Sequence, residues 1–317
     1  MDLKKGEVYA GAATEKQQLW KRIKKHKMAY LFFSPALIFA IVFSYSTLYG
    51  SLIAFKDYRY NLGILGSPWV GLKYFKIFLT QREFWRVTAN TLKFSLWSFF
   101  TGIPTQVILA ILLNEMRQLR AKKLVQTLIY LPHFVSWVVV VALFQNVLSP
   151  YNGVVNELLH KLFGMEPFYF FGEPKAFLPL YLIIGAWKEI GWCSIIYLST
   201  LAGVDTTLYE AAMVDGAGRF KQTIHITIPS MVPIICLRAI MNVGGLLAVS
   251  FEQIYLMQMP ATIETSEVIS SYTLKIGLKG GQYSLSSAIG LVSCWIGTGL
   301  MFGTNYLSRK YSEVSLW

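Results

Sequence analysis

The sequence predicts an all-α integral membrane protein with six transmembrane helices and both termini on the cytoplasmic side. Of its 317 residues, 54% are hydrophobic and only 15% are charged, which is too apolar for an ordinary soluble domain of this length. Long apolar runs recur along the chain, and about 20 apolar residues in a helix are enough to cross a bilayer. Basic residues cluster beside several of these runs, as in cytoplasmic flanks of membrane helices.

The first apolar run, residues 28–55, contains no Asp, Glu, Lys or Arg. It is too long for the apolar core of a signal peptide, so we interpret it as a retained first helix. Residues 56–86 contain aromatic residues among basic ones, which indicates a segment lying on the extracytoplasmic surface of the membrane. The remaining five predicted spans occupy residues 88–113, 124–148, 177–202, 231–257 and 285–308.

The orientation follows from the distribution of Lys and Arg. The cluster from Lys21 to Lys27 precedes the first span, and the cluster from Arg117 to Lys123 lies in a short loop. Because cytoplasmic loops carry an excess of basic residues, both clusters place the amino terminus inside. Residues 56–86 do not fit this distribution, because they contain six Lys and Arg residues on the predicted outer side. The net charge of +12 is therefore better explained by anionic lipid than by a nucleic-acid partner, which we do not expect.

A polar, glycine-containing segment separates the fourth and fifth predicted spans. Thr207 and Glu210 have the spacing of a capping box and predict the start of a short helix. Gly216 and Gly218 are suited to ending it, since glycine tolerates the left-handed conformation common after helices. Pro229 suits the first turn of the next helix. An isolated helix of about ten residues is marginal in water, so we expect this one to dock against a partner.

The spacing within this segment resembles the EAA loop of permease subunits of bacterial binding-protein-dependent ABC importers. Glu210-Ala211-Ala212 is followed after three residues by Gly216 and after nine more by Ile226-x-Ile228-Pro229. The family has Leu where this chain has Ile228, which is a similar apolar side chain. The resemblance implies the MetI-like permease fold.

In that family the short helix docks into a cleft of a separate ATPase subunit. The resemblance implies that Glu210 meets basic residues there and that Gly216 supplies the turn. The residues from Ile226 to Pro229 would connect the loop to the fifth helix. The full set of coupling residues implied by the resemblance is Glu210, Ala211, Ala212, Asp215, Gly216, Ala217, Ile226, Ile228 and Pro229.

Residues 33–55 and the following stretch FKDYRYNLGILGSPWVGLKYFKIFL are similar to permeases for polysaccharide breakdown products. This implies an oligosaccharide importer of the bacterial cytoplasmic membrane, with a second, different permease, two ATPase subunits, an external binding protein and surrounding lipid. ATP and Mg²⁺ would be bound by the ATPase, and no cofactor by this chain. The implied organisation is a basic tail (1–27), a first helix with an outer segment (28–87), a permease core (88–308) that contains the coupling loop (205–233), and a second cytoplasmic tail (309–317).

Ionisable residues inside membrane spans are costly and are often functional. By resemblance, sugar contacts come from the spans on either side of the coupling loop. We therefore predict Glu189, Trp192 and Asn242 on the substrate path, with Lys188 and Phe134 behind them. Structural alternatives remain open at this stage: Lys188 and Glu189 could satisfy other protein groups, and Trp192 could serve packing.

The fifth span shows a polar face formed by Arg238, Asn242, Gly245, Val249 and Glu252 at helical spacing. Arg238 could instead extend along the helix to the cytoplasmic side.

The sequence contains no phosphate loop, no metal-binding cysteine or histidine spacing and no catalytic constellation, so we predict no catalytic residues and no metal site. The alternative function is an ion-driven secondary transporter, which predicts inverted repeats with broken helices; neither is evident in the sequence. His133 could act there as a proton relay, although a packed, hydrogen-bonded histidine is more typical beside a proline.

Overall fold

The computed structural model describes residues 24–247 and 249–312, and within these it contains helices and no strand. The basic tail predicted at residues 1–27 and the last five residues therefore lie mostly outside the described part. The chain divides after Val70 into two units. The first unit contains α1 (Lys27–Phe55), which is helical throughout. It includes a π-helical segment at Ala40–Tyr45 and a 3-10 helical segment at Ser51–Phe55. This confirms the first predicted helix.

The second unit contains eleven labelled helices in its described residues. They are α2 (Lys73–Thr80), α3 (Arg82–Glu115), α4 (Leu119–Phe134), α5 (Trp137–Val147), α6 (Val154–Phe163), α7 (Pro174–Ala202), α8 (Thr206–Val214), α9 (Arg219–Gly244), α10 (Phe251–Met257), α11 (Ile269–Leu274) and α12 (Tyr283–Ser312). Single helical turns connect several of them.

Four of the described helices, α1, α3, α9 and α12, are long and apolar enough to cross a membrane. A fifth span results if α4 and α5 are taken as one bent element. Helix α7 has 29 residues, or about 43 Å at a rise of 1.5 Å per residue, which is ample length for a span. Lys188 and Glu189 lie at its centre.

The predicted third span, residues 124–148, is not one continuous helix, because α4 and α5 meet at an angle of 104°. Val135 and Ser136 adopt extended backbone conformations between them. The Ser136 hydroxyl accepts a hydrogen bond from the Val139 amide and caps α5. Apolar periodicity runs through both helices and therefore conceals the break.

The predicted fifth span, residues 231–257, is also wrong at both ends. Helix α9 begins at Arg219 and ends at Gly244, and α10 begins separately at Phe251. Pro229 and Pro233 consequently lie inside a continuous helix. A π-helical turn at Thr223–Thr227 precedes them, and such wider turns accommodate local breaks in the helical hydrogen-bond pattern.

The core of the second unit is formed by α7 packing along α3. Phe94 of α3 makes edge-to-face contacts with Phe177 and Tyr181 of α7, and all three rings are buried. Such aromatic pairs contribute about 0.5–1.5 kcal/mol beyond their burial. Near the other end of these helices, Tyr197 packs with Ala110 and with Met231 of α9. This arrangement holds α3, α7 and α9 side by side.

Polar contacts fix the segment between α10 and α12 to the start of α3. The buried Glu267 carboxylate pairs with Arg86 and lies 3.3 Å from Lys275 Nζ. Asn90 donates to the carbonyls of Glu264 and Glu267 at 2.9 and 3.0 Å. Removing one partner of a buried charge leaves the other unpaired, so this network is a strong constraint on the segment.

Candidate functional site

A cavity of about 660 Å³ lies between α3, α7 and α9. This volume falls within the range of about 300–1,000 Å³ that is usual for small-molecule sites. The wall contributed by α3 extends from Ser95 to Gln106, and the wall contributed by α7 extends from Tyr181 to Cys193. Residues of α9 and the turn after it close the third side: Arg238, Asn242, Gly245, Leu246, Val249 and Ser250.

The cavity wall combines apolar and aromatic side chains with several hydrogen-bonding groups. Glu189 and Asn242, which we predicted on the substrate path, both line it. Gln253 also lines it, and its amide nitrogen donates to the Tyr181 carbonyl at 2.8 Å. Ser95 donates to the Leu246 carbonyl across the gap between α3 and α9. The wall can therefore offer donors, acceptors and apolar surface to a polar solute.

The Glu189 carboxylate is held by two partners. One oxygen lies 2.8 Å from His133 Nδ1, and the other lies 3.6 Å from Lys188 Nζ. Lys188 is buried, donates to the His133 carbonyl at 2.6 Å and lies over the Trp137 ring at 5.3 Å. The alternative that Lys188 and Glu189 satisfy other protein groups thus agrees with this geometry. His133 is packed and hydrogen-bonded, as the sequence indicated.

Trp192 and Phe134 lie beside this cluster and do not line the cavity. The Trp192 and His133 rings are parallel with centroids 4.5 Å apart. Phe134 meets Trp192 edge-on at 5.6 Å and is otherwise exposed. Of the five predicted path residues, the structure therefore places Glu189 and Asn242 at the cavity and groups Lys188, Trp192 and Phe134 behind or beside it. Their roles toward substrate stay predictions.

The predicted polar face of the fifth span is only partly formed. Arg238, Asn242, Gly245 and Val249 all line the cavity, but Glu252 lies in α10 and does not. The reason is the end of α9 at Gly244, which interrupts the helical spacing on which the prediction depended. Arg238 lines the cavity, and its Nε atom is buried.

Helix α8 forms the middle of the segment between α7 and α9. The predicted capping box is wrong: Asp205 is the N-cap, and its carboxylate accepts from the Thr207 amide at 2.9 Å. This hydrogen bond holds the pKa of Asp205 below its ordinary value. Because the ionised form is the acceptor, the stabilising effect of the cap is present at neutral pH and is lost as pH falls through the lowered pKa.

The end of α8 agrees with the sequence prediction. Gly216 has φ +73°, and the Gly216 and Ala217 amides donate to the carbonyls of Met213 and Ala212. This is the hydrogen-bond arrangement of a Schellman-type helix end, in which glycine is strongly favoured. Gly218, by contrast, has φ −67° and takes an ordinary extended conformation.

We expect Gly216→Ala to weaken this turn by about 1 kcal/mol or more, because a side chain disfavours the left-handed conformation. Gly218→Ala is the matched control and should have the smaller effect, since its φ of −67° suits any residue and neither glycine has a neighbouring atom that a Cβ would meet. The measurement is the thermal midpoint of the purified protein together with ATP hydrolysis of the assembled transporter. Equal effects of the two substitutions would contradict the role assigned to the turn.

No described side chain of α8 is buried. Glu210, Ala211, Asp215 and Gly216 are exposed, and Ala212 and Ala217 are half-buried. Leu208, Met213 and Val214 expose large apolar side chains on the same helix. At the start of α9, Ile226 is half-buried, whereas Ile228 and Pro229 are exposed. A short helix with this much apolar exposure has the surface of a docking element.

Two contacts that the sequence analysis missed connect this segment to the long helices. Tyr209 of α8 shares a hydrogen bond of 3.0 Å with Thr227 in the π-helical turn of α9. Arg219, the first residue of α9, pairs with Glu115, the last residue of α3. For the Arg219–Glu115 pair, the acidic residue at the end of the second predicted span, next to a basic loop, was a possible signal in the sequence. No local pattern indicated the hydrogen bond between Tyr209 and Thr227.

Residues 89–313 match the family described as binding-protein-dependent transport system inner membrane component. The match covers more than half of the chain and includes α8 and every wall of the cavity. The chain belongs to this family. It is an ABC transporter permease, and its relatives are named as transport system permeases, not as enzymes.

Relatives of this permease match over nearly their whole length. It is 40% identical over 303 residues to the polygalacturonan/rhamnogalacturonan transport system permease YteP of Bacillus subtilis, covering 96% of this chain and 94% of that protein. It is 39% identical over 295 residues to LplB of the same organism, covering 93% and 92%.

A solved structure also resembles the permease closely. A chain of a bacterial ABC transporter involved in import of the acidic polysaccharide alginate superposes with a TM-score of 0.86 at 36% identity. The superposition covers 93% of this permease and 99% of that chain. A second solved structure, of a bacterial alginate ABC transporter in complex with an alginate pentasaccharide-bound periplasmic protein, superposes with a TM-score of 0.86 at 35% identity and covers 94% of this permease and 100% of that chain.

Proposed function

We propose that this permease forms half of the translocation path for an oligosaccharide and couples transport to ATP hydrolysis by two separate ATPase subunits. A second permease supplies the other half, and an extracytoplasmic binding protein delivers the substrate. The observation that carries the proposal is the exposed helix α8, which has no buried side chain and contacts α9 through Tyr209, while Arg219 at the start of α9 pairs with Glu115 of α3.

The connections give α8 a mechanical role. Tyr209 links it to α9, and Arg219 links the start of α9 to the end of α3. Both long helices contribute to the cavity wall. A displacement of α8 by a partner would therefore move elements that enclose the substrate. Coupling of this kind requires a rigid element whose position is influenced both by the ATPase and by the substrate in the cavity. The capped helix α8, joined to the long helices, meets that requirement.

The cavity suits a sugar. Pyranose rings have apolar faces and polar rims, and the wall pairs aromatic residues such as Trp137 and Tyr181 with side-chain amides and hydroxyls. Ligand sites of this composition use a few polar groups to fix orientation. YteP is named for polygalacturonan and rhamnogalacturonan transport, and the superposing structure belongs to an alginate importer, which supports an oligosaccharide as the class.

In this proposal the permease lies in the bacterial cytoplasmic membrane with six spans and both termini inside. Helix α7 is then a span despite its central charges, since Lys188 and Glu189 satisfy each other and His133 within the protein. The bent pair α4 and α5 is another. Helix α8 lies on the cytoplasmic side, where an ATPase can reach it. ATP and Mg²⁺ are bound by that ATPase.

The test is uptake of labelled oligosaccharide by the assembled transporter with Glu189→Gln or Asn242→Ala. We expect uptake to fall about tenfold, the consequence of losing roughly one well-made polar contact, while binding-protein-stimulated ATP hydrolysis persists. Asn146→Ala is the control, because Asn146 is exposed on α5 and does not line the cavity. Normal uptake in both variants, or uptake by this chain without ATPase subunits, would contradict the proposal.

A further inference from the structure

The cavity wall contains two charged side chains, Glu189 and Arg238, and they differ in their environment. Glu189 is occupied by His133 and Lys188. Within the described residues, no carboxylate lies within 4 Å of Arg238. The guanidinium makes polar contacts with the side chains of Cys193 and Tyr197, neither of which is a carboxylate. The cavity is thus left with one positive charge that the described protein does not neutralise.

Two polar atoms on this wall also lack a hydrogen-bond partner in the described protein. Arg238 Nε is a buried donor, and Gln106 Oε1 on α3 is a buried acceptor. Buried polar atoms without partners cost free energy and are rare in native structures, so their occurrence together at a cavity calls for an explanation. Both side chains line the cavity, so rotation of the guanidinium and of the amide would bring these atoms to a ligand that offers an acceptor and a donor.

We propose that Arg238 forms an anionic subsite that binds the carboxylate of a uronate-containing oligosaccharide. The planar guanidinium matches a carboxylate in a bidentate arrangement, and charge-assisted bonds of this kind are stronger than neutral ones. Gln106, on the α3 wall of the cavity, offers its side-chain amide to a sugar hydroxyl. This inference rests on the proposed function and narrows its substrate to acidic oligosaccharides. Two similar transporters, one named for polygalacturonan and rhamnogalacturonan and one for the acidic polysaccharide alginate, agree with it.

The location of Arg238 also suits a transit site. Helices α7 and α9 present Cys193 and Arg238 to the same cavity, so a carboxylate there would lie between the two spans that flank α8. A single cation attracts an anionic sugar without enclosing it in several fixed charges. Binding strong enough to admit the substrate and weak enough to release it is the requirement for a translocation path.

The test compares two matched probes on the assembled transporter in nanodiscs without its binding protein. One probe is labelled trigalacturonate, and the other is the same trisaccharide with its carboxyl groups reduced to primary alcohols. Equilibrium dialysis measures the affinity for each probe. Omitting the binding protein prevents its own discrimination from contributing to the result.

We expect Arg238→Gln to lower the affinity for trigalacturonate by about tenfold, equivalent to about 1.4 kcal/mol, and to leave the affinity for the reduced probe within about twofold. Arg238→Lys should recover part of the loss, since it keeps the charge but not the planar geometry. Gln106→Leu should weaken both probes alike, because hydroxyl groups are common to both. Added salt should weaken the wild-type interaction with trigalacturonate more than that of Arg238→Gln.

Three outcomes would overturn the subsite: equal loss for both probes in Arg238→Gln, no loss for either, or a wild-type transporter that binds neither. Equal loss would show that Arg238 supports the structure or contacts the second permease. Stimulated ATP hydrolysis measured on the same preparations separates these outcomes from failure of the proposed function. A transporter that assembles and hydrolyses ATP normally, but does not distinguish the probes, refutes the subsite alone.

Discussion

Glu210→Lys should reduce binding-protein-stimulated ATP hydrolysis and uptake of the assembled transporter to about a tenth or less of the wild-type rates. Glu210 is exposed on α8, and within the described residues it makes no ion pair. If it meets basic residues of an ATPase, the substitution places like charges together at an interface. Such an arrangement costs several kcal/mol, enough to disrupt coupling at ordinary subunit concentrations.

The control for this prediction is Glu166→Lys. Glu166 is also exposed, lies in the loop between α6 and α7, and undergoes the same change in charge. We expect it to have near-normal uptake. Both variants should be present in the membrane at wild-type levels, since exposed substitutions of this kind usually change stability by less than about 0.5 kcal/mol. Normal stimulated hydrolysis in Glu210→Lys would exclude Glu210 from the coupling contact.

Gly191→Ala should destabilise the permease by about 3 kcal/mol, the upper end of the range for overpacked positions. A Cβ at this position would lie 2.1 Å from the Ile129 carbonyl oxygen of α4. That oxygen belongs to the backbone and cannot rotate away, so α4 and α7 must separate. The separation would also disturb the contact between His133 and Glu189, which joins the same two helices.

The measurements for Gly191→Ala are the yield of folded protein in detergent and its thermal unfolding midpoint. Gly290→Ala in α12 is the matched control, because a Cβ there has open space around it. Within a helix, alanine is favoured over glycine by about 1 kcal/mol, so the control should be neutral or slightly stabilising. An unchanged midpoint in Gly191→Ala would show that the close approach of α4 and α7 is wrong.

The features that could be predicted from the sequence are those set by composition and by neighbouring residues. The uncharged run of α1 predicts a membrane helix because its length matches the bilayer. The helix α8 and its end at Gly216 were predictable because capping and left-handed turns depend on residues only a few positions apart. The capping residue was misassigned to Thr207, because several polar residues at the start of α8 compete for that position and the local backbone selects Asp205.

The features that could not be predicted depend on residues far apart in the chain. Glu189 was expected on the path, but its pairing with His133, 56 residues away, becomes visible only when α4 and α7 pack together. The orientation of Arg238 toward the cavity likewise depends on where α9 lies against α3 and α7. Nothing local distinguishes an arginine that faces a cavity from one that extends toward the membrane surface.

The sequence by itself determined that this is an all-α membrane permease with an exposed, glycine-terminated helix between its long helices. Hydrophobic length and local backbone preferences are properties of short stretches and need no partner. The tertiary structure decided where the long helices break and which polar groups meet in the cavity. The bend between α4 and α5 and the end of α9 at Gly244 interrupt apolar runs that look continuous in the sequence, because hydropathy alone does not set where the backbone breaks.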